Sequence, residues 1–316
     1  MREIVVCGEA LVDVVQQGGG GQDATPSGLA PLQPALGGGP FNVAITLGRL
    51  GSAVSLLSAV STDTYGDAIL DALRAAGVGT TLIQRRGEPT SLALATIADD
   101  GSARYSFYVE GTADRAIGDP GALPPTVAAV TFGTLSLVLQ PGAAVYENVM
   151  RRCRAEGRVV VLDPNIRSAV IDDPDGYRRR FRGWMASVDL VKLSDEDAAW
   201  LGEGPAGSAE ADWLADGVAA VVTTAGASGI TVRTALGEVS APAPPVDVVD
   251  TIGAGDSVLG GLVHHLDRHG RLSPDAVRSL TLEQWREAAE FAAHVAAMTV
   301  SRPGADPPWA GELRSD

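Results

Sequence analysis

The chain has 316 residues, of which 45% are hydrophobic, enough for one large α/β domain with a sizeable core. Its formal net charge of −15 excludes nucleic acid and anionic membrane surfaces as electrostatic partners, because polyanions repel it. Cys7 and Cys153 lie in apolar contexts, which predicts buried thiols in a reducing, cytoplasmic compartment; no apolar run reaches membrane-spanning length, and Glu9 and Asp13 interrupt the apolar run that a secretory leader requires.

The first predicted element is a buried strand at Ile4-Val5-Val6-Cys7, followed by Gly8-Glu9-Ala10-Leu11-Val12-Asp13. A lone glycine after a first strand is not the three-glycine dinucleotide fingerprint, so a Rossmann dehydrogenase is disfavoured. Asp13 stands where an α/β fold places ligands, and it reads equally as a loop-capping residue. Residues 17–34, rich in Gly, Pro, Ser and Gln, predict a loop or short edge strand. Gly37-Gly38-Gly39-Pro40-Phe41-Asn42 then precedes a helix expected over Ala44–Leu50. Its glycines let a ligand approach closely, and Asn42 both donates and accepts. A strand is predicted over Val54–Val60 and a helix from the Ser61–Asp67 segment to Ala76. Residues 82–110 alternate polar and apolar around Asp99-Asp100-Gly101-Ser102, the pattern of a β-hairpin. Such a ribbon does not extend a βαβ sheet, and Phe107 and Tyr108 are its candidates to face a ligand.

The second half alternates strands and helices, which predicts a mainly parallel sheet. Strands are expected over Val127–Phe132, Val159–Leu162, Leu190–Leu193 and Ala220–Thr224, with helices over Tyr146–Glu156 and residues 285–300. Asp163-Pro164-Asn165-Ile166-Arg167 follows one strand and Ser194-Asp195-Glu196-Asp197 another. Polar residues at strand ends point into the ligand crevice. Acidic ones there hold Mg²⁺ through water or simply open a helix. Ala225-Gly226-Ala227-Ser228-Gly229 is a turn or a phosphate-contacting loop. No histidine has metal-ligand spacing, His264 and His265 are read as structural, and neither a nucleophile elbow nor a Walker P-loop is present.

The most informative stretch is Val249-Asp250-Thr251-Ile252-Gly253-Ala254-Gly255-Asp256-Ser257. Apolar residues at Val258, Leu259, Leu262, Val263 and Leu266 mark one face of a helix behind it. Gly253-Ala254-Gly255 is therefore a tight turn feeding a helix N-terminus, where free N–H groups and the dipole favour an anion. A carboxylate beside a bound phosphate repels it, but it can take the proton of a hydroxyl that attacks the phosphate. The bland alternative is a glycine turn whose Asp is placed by the dipole.

This nonapeptide resembles the C-terminal signature of the ribokinase-like (PfkB) carbohydrate kinases. Other motifs agree in family order: Gly-Glu-x-Leu-Val-Asp ending at Asp13, Gly37-Gly38 with Asn42, Asp-Pro-Asn-Ile-Arg, Thr224 with Gly226 and Gly229, and Arg302-Pro303-Gly304-Ala305. The resemblance spans nearly the full length. It implies one domain with a three-layer α/β/α core, a mainly parallel sheet, and a small β lid formed by residues 10–36 and 84–112. It implies an ATP-dependent sugar kinase in which Asp256 is the base and Gly253, Ala254 and Gly255 form the anion hole. Asp13, Gly37, Gly38, Asn42, Asn165 and Arg167 would then hold sugar. Lys192, Ser194, Thr224, Gly226, Gly229 and Gly255 would hold nucleotide. The family's Asn-x-x-Glu segment departs here to Ser194 and Asp197, which leaves Asp197 and Glu196 as rival contacts to Mg²⁺ through water. Asp250, Ile252 and Gly304 match a monovalent-cation (K⁺) site. The opening motif, Gly-Gly-Gly-Pro-Phe-Asn and Asp-Pro-Asn-Ile-Arg look most like the fructokinase-type members. Glu110 at the lid's end disfavours the carboxylate substrate of 2-keto-3-deoxygluconate kinases, the nearest rival, with ribose or a nucleoside third. The non-enzyme alternatives are a sugar- or nucleotide-binding regulator on the same fold and a flavodoxin-like module, and a homodimer through the lid is consistent with the family.

Overall fold

The computed structural model describes residues 2–16, 31–97, 103–202 and 209–314. Thirteen strands are found among them: β1 Glu3–Cys7, β2 Leu11–Gln16, β3 Leu32–Gly37, β4 Val54–Ser61, β5 Ile83–Arg86, β6 Leu92–Ile97, β7 Ala103–Tyr108, β8 Val127–Gly133, β9 Val159–Asp163, β10 Leu190–Ser194, β11 Ala220–Thr224, β12 Ile230–Thr234 and β13 Gly237–Ala241. The helices are α1 Gly39–Arg49, α2 Thr64–Ala75, α3 Gly142–Ala155, α4 Pro174–Trp184, α5 Asp195–Gly202, α6 Glu210–Ala215, α7 Ala254–Arg268, α8 Pro274–Arg278 and α9 Leu282–Val300.

Nine strands form one sheet in the order β13-β12-β11-β10-β9-β8-β1-β4-β5. It is parallel from β5 to β11, and β12 and β13 are added antiparallel. The central strands read as unbroken apolar runs because both faces are covered. Alternate residues of β1 show the division. Ile4 and Val6 join the core beneath α1, α2, α7, α8 and α9, and Val5 and Cys7 join the core beneath α3, α4, α5 and α6. The result is a mixed α/β fold of three layers. Cys7 and Cys153 are buried free thiols.

A second sheet, in the order β3-β2-β6-β7, stands apart from the first. Its register puts Asp13, Ala93 and Phe107 opposite one another on one face, and Val12, Leu92 and Tyr108 on the other. Residues 84–86 fall inside the range expected for the lid, but they belong to β5, which pairs with β4 as an edge strand of the large sheet. The hairpin turn expected at 99–102 and the loop at 17–30 lie outside the described residues; within 31–37 the chain is the edge strand β3.

Three helices start earlier than their apolar periodicity predicts, α9 by three residues at Leu282, where Thr281 and Gln284 form a capping box. α1 begins at Gly39 with Pro40 in its first turn, a place where a missing N–H costs nothing. α3 begins at Gly142, four residues before Tyr146. Among the described residues no helix is long and apolar enough to cross a membrane.

Candidate active site

The parallel strands end on one side of the large sheet, and each carries a polar residue there. Glu9 follows β1, Thr134 follows β8, Asp163 ends β9, Ser194 ends β10 and Thr224 ends β11. This is where the crevice of an open α/β sheet forms. A cleft of about 510 Å³ occupies it, walled on the far side by the inner face of the small sheet through Leu11, Asp13, Val15, Ala93, Tyr105 and Phe107. Residues two apart on a strand share a face, so Phe107 brings Tyr105 with it. Tyr108, a sequence candidate, is on the outer face and 60% exposed.

The glycine turn closes the cleft from below. Gly253 is the N-cap of α7 and has φ +75°, a left-handed conformation that favours glycine. A side chain there would also meet Ala305, 2.6 Å from the Cβ position. Asp250 holds the turn in shape, its carboxylate accepting the Ile252 N–H (3.0 Å) and the Gly304 N–H (2.8 Å). Asp250, Ile252 and Gly304 are thus drawn together as the sequence pairs them, although only Ile252 lines the cleft. The Ala254 N–H is directed at Thr251 O at 3.3 Å, whereas those of Gly255 and Asp256, next in the first helical turn, have no intrahelical acceptor.

Asp256, in that first turn, is 8% exposed. Its Oδ2 accepts a hydrogen bond from Asn42 Nδ2 at 2.9 Å, which joins the starts of α1 and α7 across 214 residues of sequence. Burial raises its pKa above the ordinary carboxylate value; the Asn42 bond and the charges of Lys192 and Arg167 act against that rise. It is a desolvated carboxylate with one oxygen held by Asn42.

Beside it, Lys192 Nζ donates to Asp163 Oδ2 at 2.8 Å, and both side chains are almost wholly buried. Burial pushes Asp163 up to about 6, the lysine opposing the shift. Lys192 also lies under the turn, where a Cβ added at Gly255 would come within 2.8 Å of its Nζ. Lys192 therefore contributes positive charge to the turn while remaining paired.

Asp13 projects from β2, and burial raises its carboxyl to about 6, with the Arg167 charge opposing. Gly37 ends β3 against the Asp13 carboxylate, and Gly38 is the N-cap of α1. Asn165 adopts φ +40°, and its Oδ1 accepts from Arg167 Nη1 at 2.8 Å. Asp13, Gly38, Asn42, Asn165, Arg167 and Asp256 all line the one cleft, and Gly37 adjoins it through Asp13.

The other end of the cleft carries Lys192, Ser194, Glu196, Asp197 and Thr224. Asp197 is already engaged, accepting the Ile166 N–H (3.0 Å) and the Ser194 N–H (3.4 Å). Glu196 is an exposed carboxylate on the rim. Among the described residues no group of three acidic, histidine or cysteine side chains forms a ready metal cage. A magnesium ion that keeps most of its waters and rests on phosphate oxygens fits this donor set, with Glu196 or Asp197 reaching it through water.

A second cavity of about 450 Å³ opens past the glycine turn. It shares Thr224, Thr251, Ala254 and Gly255 with the cleft, and the rest of its wall is apolar and glycine-rich: Pro244, Val246 and Val248 on one side, Ala293, Ala297 and Val300 of α9 on the other. Gly226 and Gly229 line this cavity and not the cleft; they sit in the connection between antiparallel β11 and β12, a hairpin turn that also borders a pocket. Sequence reasoning misses the apolar wall because alanines on a helix carry no chemical signature. It also leaves Glu9 unassigned, although the Gly-Glu opening contains it. Glu110, offered against a carboxylate substrate, pairs with Arg115 at 2.6 Å, is exposed, and does not line the cleft. His264, read as structural, shares a 2.8 Å hydrogen bond with Ser52, and neither it nor His265 lines the cleft.

Comparison with known proteins agrees with this architecture. A model of the pfkB family of carbohydrate kinases matches residues 1–310. A fructokinase of Rhizobium leguminosarum bv. trifolii is 36% identical over 280 residues, covering 88% of this chain and 83% of that protein. The structure of a fructokinase from Xylella fastidiosa with bound ATP superposes with a TM-score of 0.87 at 27% identity, covering 96% of this chain and 93% of that one. That of aminoimidazole riboside kinase from Salmonella enterica gives 0.83 at 25% identity, covering 99% of each. The chain belongs to the pfkB family of carbohydrate kinases.

Proposed function

We propose that this chain is a fructokinase, transferring the γ-phosphoryl group of ATP to a hydroxyl of fructose. The observation that carries the chemistry is the first turn of α7. It is a wall shared by the polar cleft and the apolar cavity, and Asp256 stands on its polar side. Fructose is favoured over other sugars by the 36% identity to a bacterial fructokinase across most of both chains.

In this reading the adenine lies in the apolar cavity and the phosphates run past Thr224 and Gly255 toward the turn. The sugar sits between the small sheet and α1, held by Asp13, Gly38, Asn42, Asn165 and Arg167. Asp256 takes the proton of the attacking hydroxyl as the bond to phosphorus forms. The amides of the Gly253–Gly255 turn and the Lys192 charge meet the negative charge that develops on the transferred group. Glu196 or Asp197 would hold a magnesium ion through water, and the ion would supply positive charge against the phosphates. The Asp250–Gly304 contact is the place for a potassium ion held by neighbouring backbone oxygens. The small sheet acts as a lid that excludes water from the transfer. Its outer face, with Leu32 and Tyr108 exposed, is where two copies would pair. Two buried free thiols suit the cytoplasm.

The test is ADP release from ATP and magnesium across fructose, 2-keto-3-deoxygluconate, ribose, adenosine and tagatose 6-phosphate. Strong turnover on fructose alone supports both reaction and substrate. Turnover on another sugar keeps the mechanism and discards the substrate, and nucleotide binding without turnover on any favours a regulator.

A further inference from the structure

The inner face of the small sheet presents two rows of side chains to the cleft, and they differ in kind. In one row Asp13, Ala93 and Phe107 lie opposite one another; in the next, one step further along β2, are Val15, Ala95 and Tyr105. All six line the cleft. The rows are about 7 Å apart, two residues along each strand. The first offers a sugar hydroxyl the Asp13 carboxylate. The second is apolar except for the Tyr105 hydroxyl, and it has no task in the mechanism above.

The two aromatic residues are also held differently. Phe107 packs against a small core of Leu11, Ala93 and Leu135, to which Tyr105 does not belong. The Tyr105 ring stacks on Phe107 with centroids 6.2 Å apart and planes 19° apart, and the residue is 44% exposed. Ala95, on the strand between Val15 and Tyr105, has the smallest side chain of its row, so the row is a trough with one aromatic wall. A hydroxyl laid in that trough would lose water and gain few partners. An apolar or planar group would cover the ring and remove apolar surface from water on both sides.

We propose that Val15, Ala95 and Tyr105 form a subsite for an apolar or planar substituent on the sugar, carried at the end remote from the hydroxyl that Asp256 deprotonates, so that the chain phosphorylates glycosides as well as the free sugar. The bonds are those of the parent reaction. The sugar oxygen joins the γ-phosphorus, the bond from that phosphorus to ADP breaks, and the hydroxyl proton goes to Asp256. The substituent itself does not react. The inference rests on the sugar-kinase reading and widens its substrate class.

The experiment measures ADP release with fructose, methyl fructofuranoside and benzyl fructofuranoside, in the wild-type chain and in variants of the trough. For the wild type, kcat/KM for the benzyl glycoside should exceed that for the methyl glycoside roughly tenfold, the scale of covering one ring with another. In Tyr105→Ala the two glycosides should fall within about threefold of each other while fructose moves by less than about threefold, because only the coupled contact is gone. Tyr105→Phe should restore the preference. Ala95→Leu, which fills the trough, should lose the benzyl glycoside and keep fructose, and it carries the test if Tyr105→Ala does not fold. A wild-type chain that uses neither glycoside, or both equally, overturns the proposal. So does a Tyr105→Ala variant that loses equally on fructose and both glycosides, since the ring then reads the sugar itself. Failure of the wild-type chain to use fructose would overturn the substrate assignment instead, and methyl and benzyl glycosides of the sugar it does use would still decide the role of the trough.

Discussion

The cleft and the apolar cavity share the first turn of α7 as a wall, yet they are built to hold ligands by opposite means. In and beside the cleft, Asp13, Asp163, Lys192 and Asp256 are desolvated, and the last three are held by hydrogen-bonded partners, so contacts there are directional. In the cavity, prolines, valines and α9 alanines remove apolar surface from water without dictating a hydrogen-bond pattern. The lesson is a division of labour. Orientation matters where a bond is made and broken, and a loosely read handle suffices for the part of the donor that does not react.

Apart from Asp256 itself, the largest effect is expected from breaking the buried pair beside the cleft. Lys192→Met removes the charge that opposes the burial of Asp163, and losing one partner of such a pair costs about 3–5 kcal/mol of stability and takes positive charge from beneath the turn. Thermal unfolding should fall sharply and turnover with it, whereas the double variant Lys192→Met/Asp163→Leu should regain stability but not turnover. Next is Gly253→Ala. The left-handed φ adds about 1–2 kcal/mol of strain, and the new Cβ meets Ala305, so the turn must shift. Steady-state kinetics should show kcat falling with little change in the KM for sugar.

Acid sharpens the contrast further. Asp13 must be ionised to accept sugar hydroxyls, so kcat/KM for sugar should fall as pH drops through about 6. Stability has the opposite sign. The folded carboxyls of Asp13 and Asp163 have pKa values near 6, above the ordinary value of 3.8, so in the window between them the folded state binds more protons. Their contribution is fully present below that window and is lost as pH rises through about 6. Parallel pH profiles of activity and melting temperature should therefore separate, activity failing while these groups favour the fold. The smallest effect belongs to the cavity: among its described lining residues the polar side chains are Thr224 and Thr251, at the turn it shares with the cleft, so if it takes the base as proposed, GTP should replace ATP with a kcat/KM within about tenfold.

How much of this is legible in the sequence differs between the same two regions. The cleft announces itself, because Asp256 with its glycine turn and Asp163 to Arg167 are short local motifs whose chemistry needs particular residue types. What stays hidden is pairing across distance. Asn42 and Asp256 are 214 residues apart and Glu9 and Ser136 are 127 apart, and nothing local tells that they touch. The cavity is nearly silent, since its alanines and valines also read as ordinary core. The layered fold is legible from apolar runs of strand length, while the early starts of α1 and α3 are not, because a proline or glycine first turn breaks the periodicity that marks a helix. Residues 83–86 fall to the large sheet because β5 pairs with β4, a partner that alternation in the strand itself does not name.

The central claim is that Asp256 takes the proton of the attacking hydroxyl. Asp256→Asn keeps the size and the contact with Asn42 but removes the base. Turnover with fructose, ATP and magnesium, measured together with calorimetric fructose affinity, tests it most directly. The prediction is a kcat reduced by roughly 10²- to 10⁴-fold with fructose affinity nearly unchanged. A kcat close to that of the wild type would contradict the account and remove Asp256 as the base.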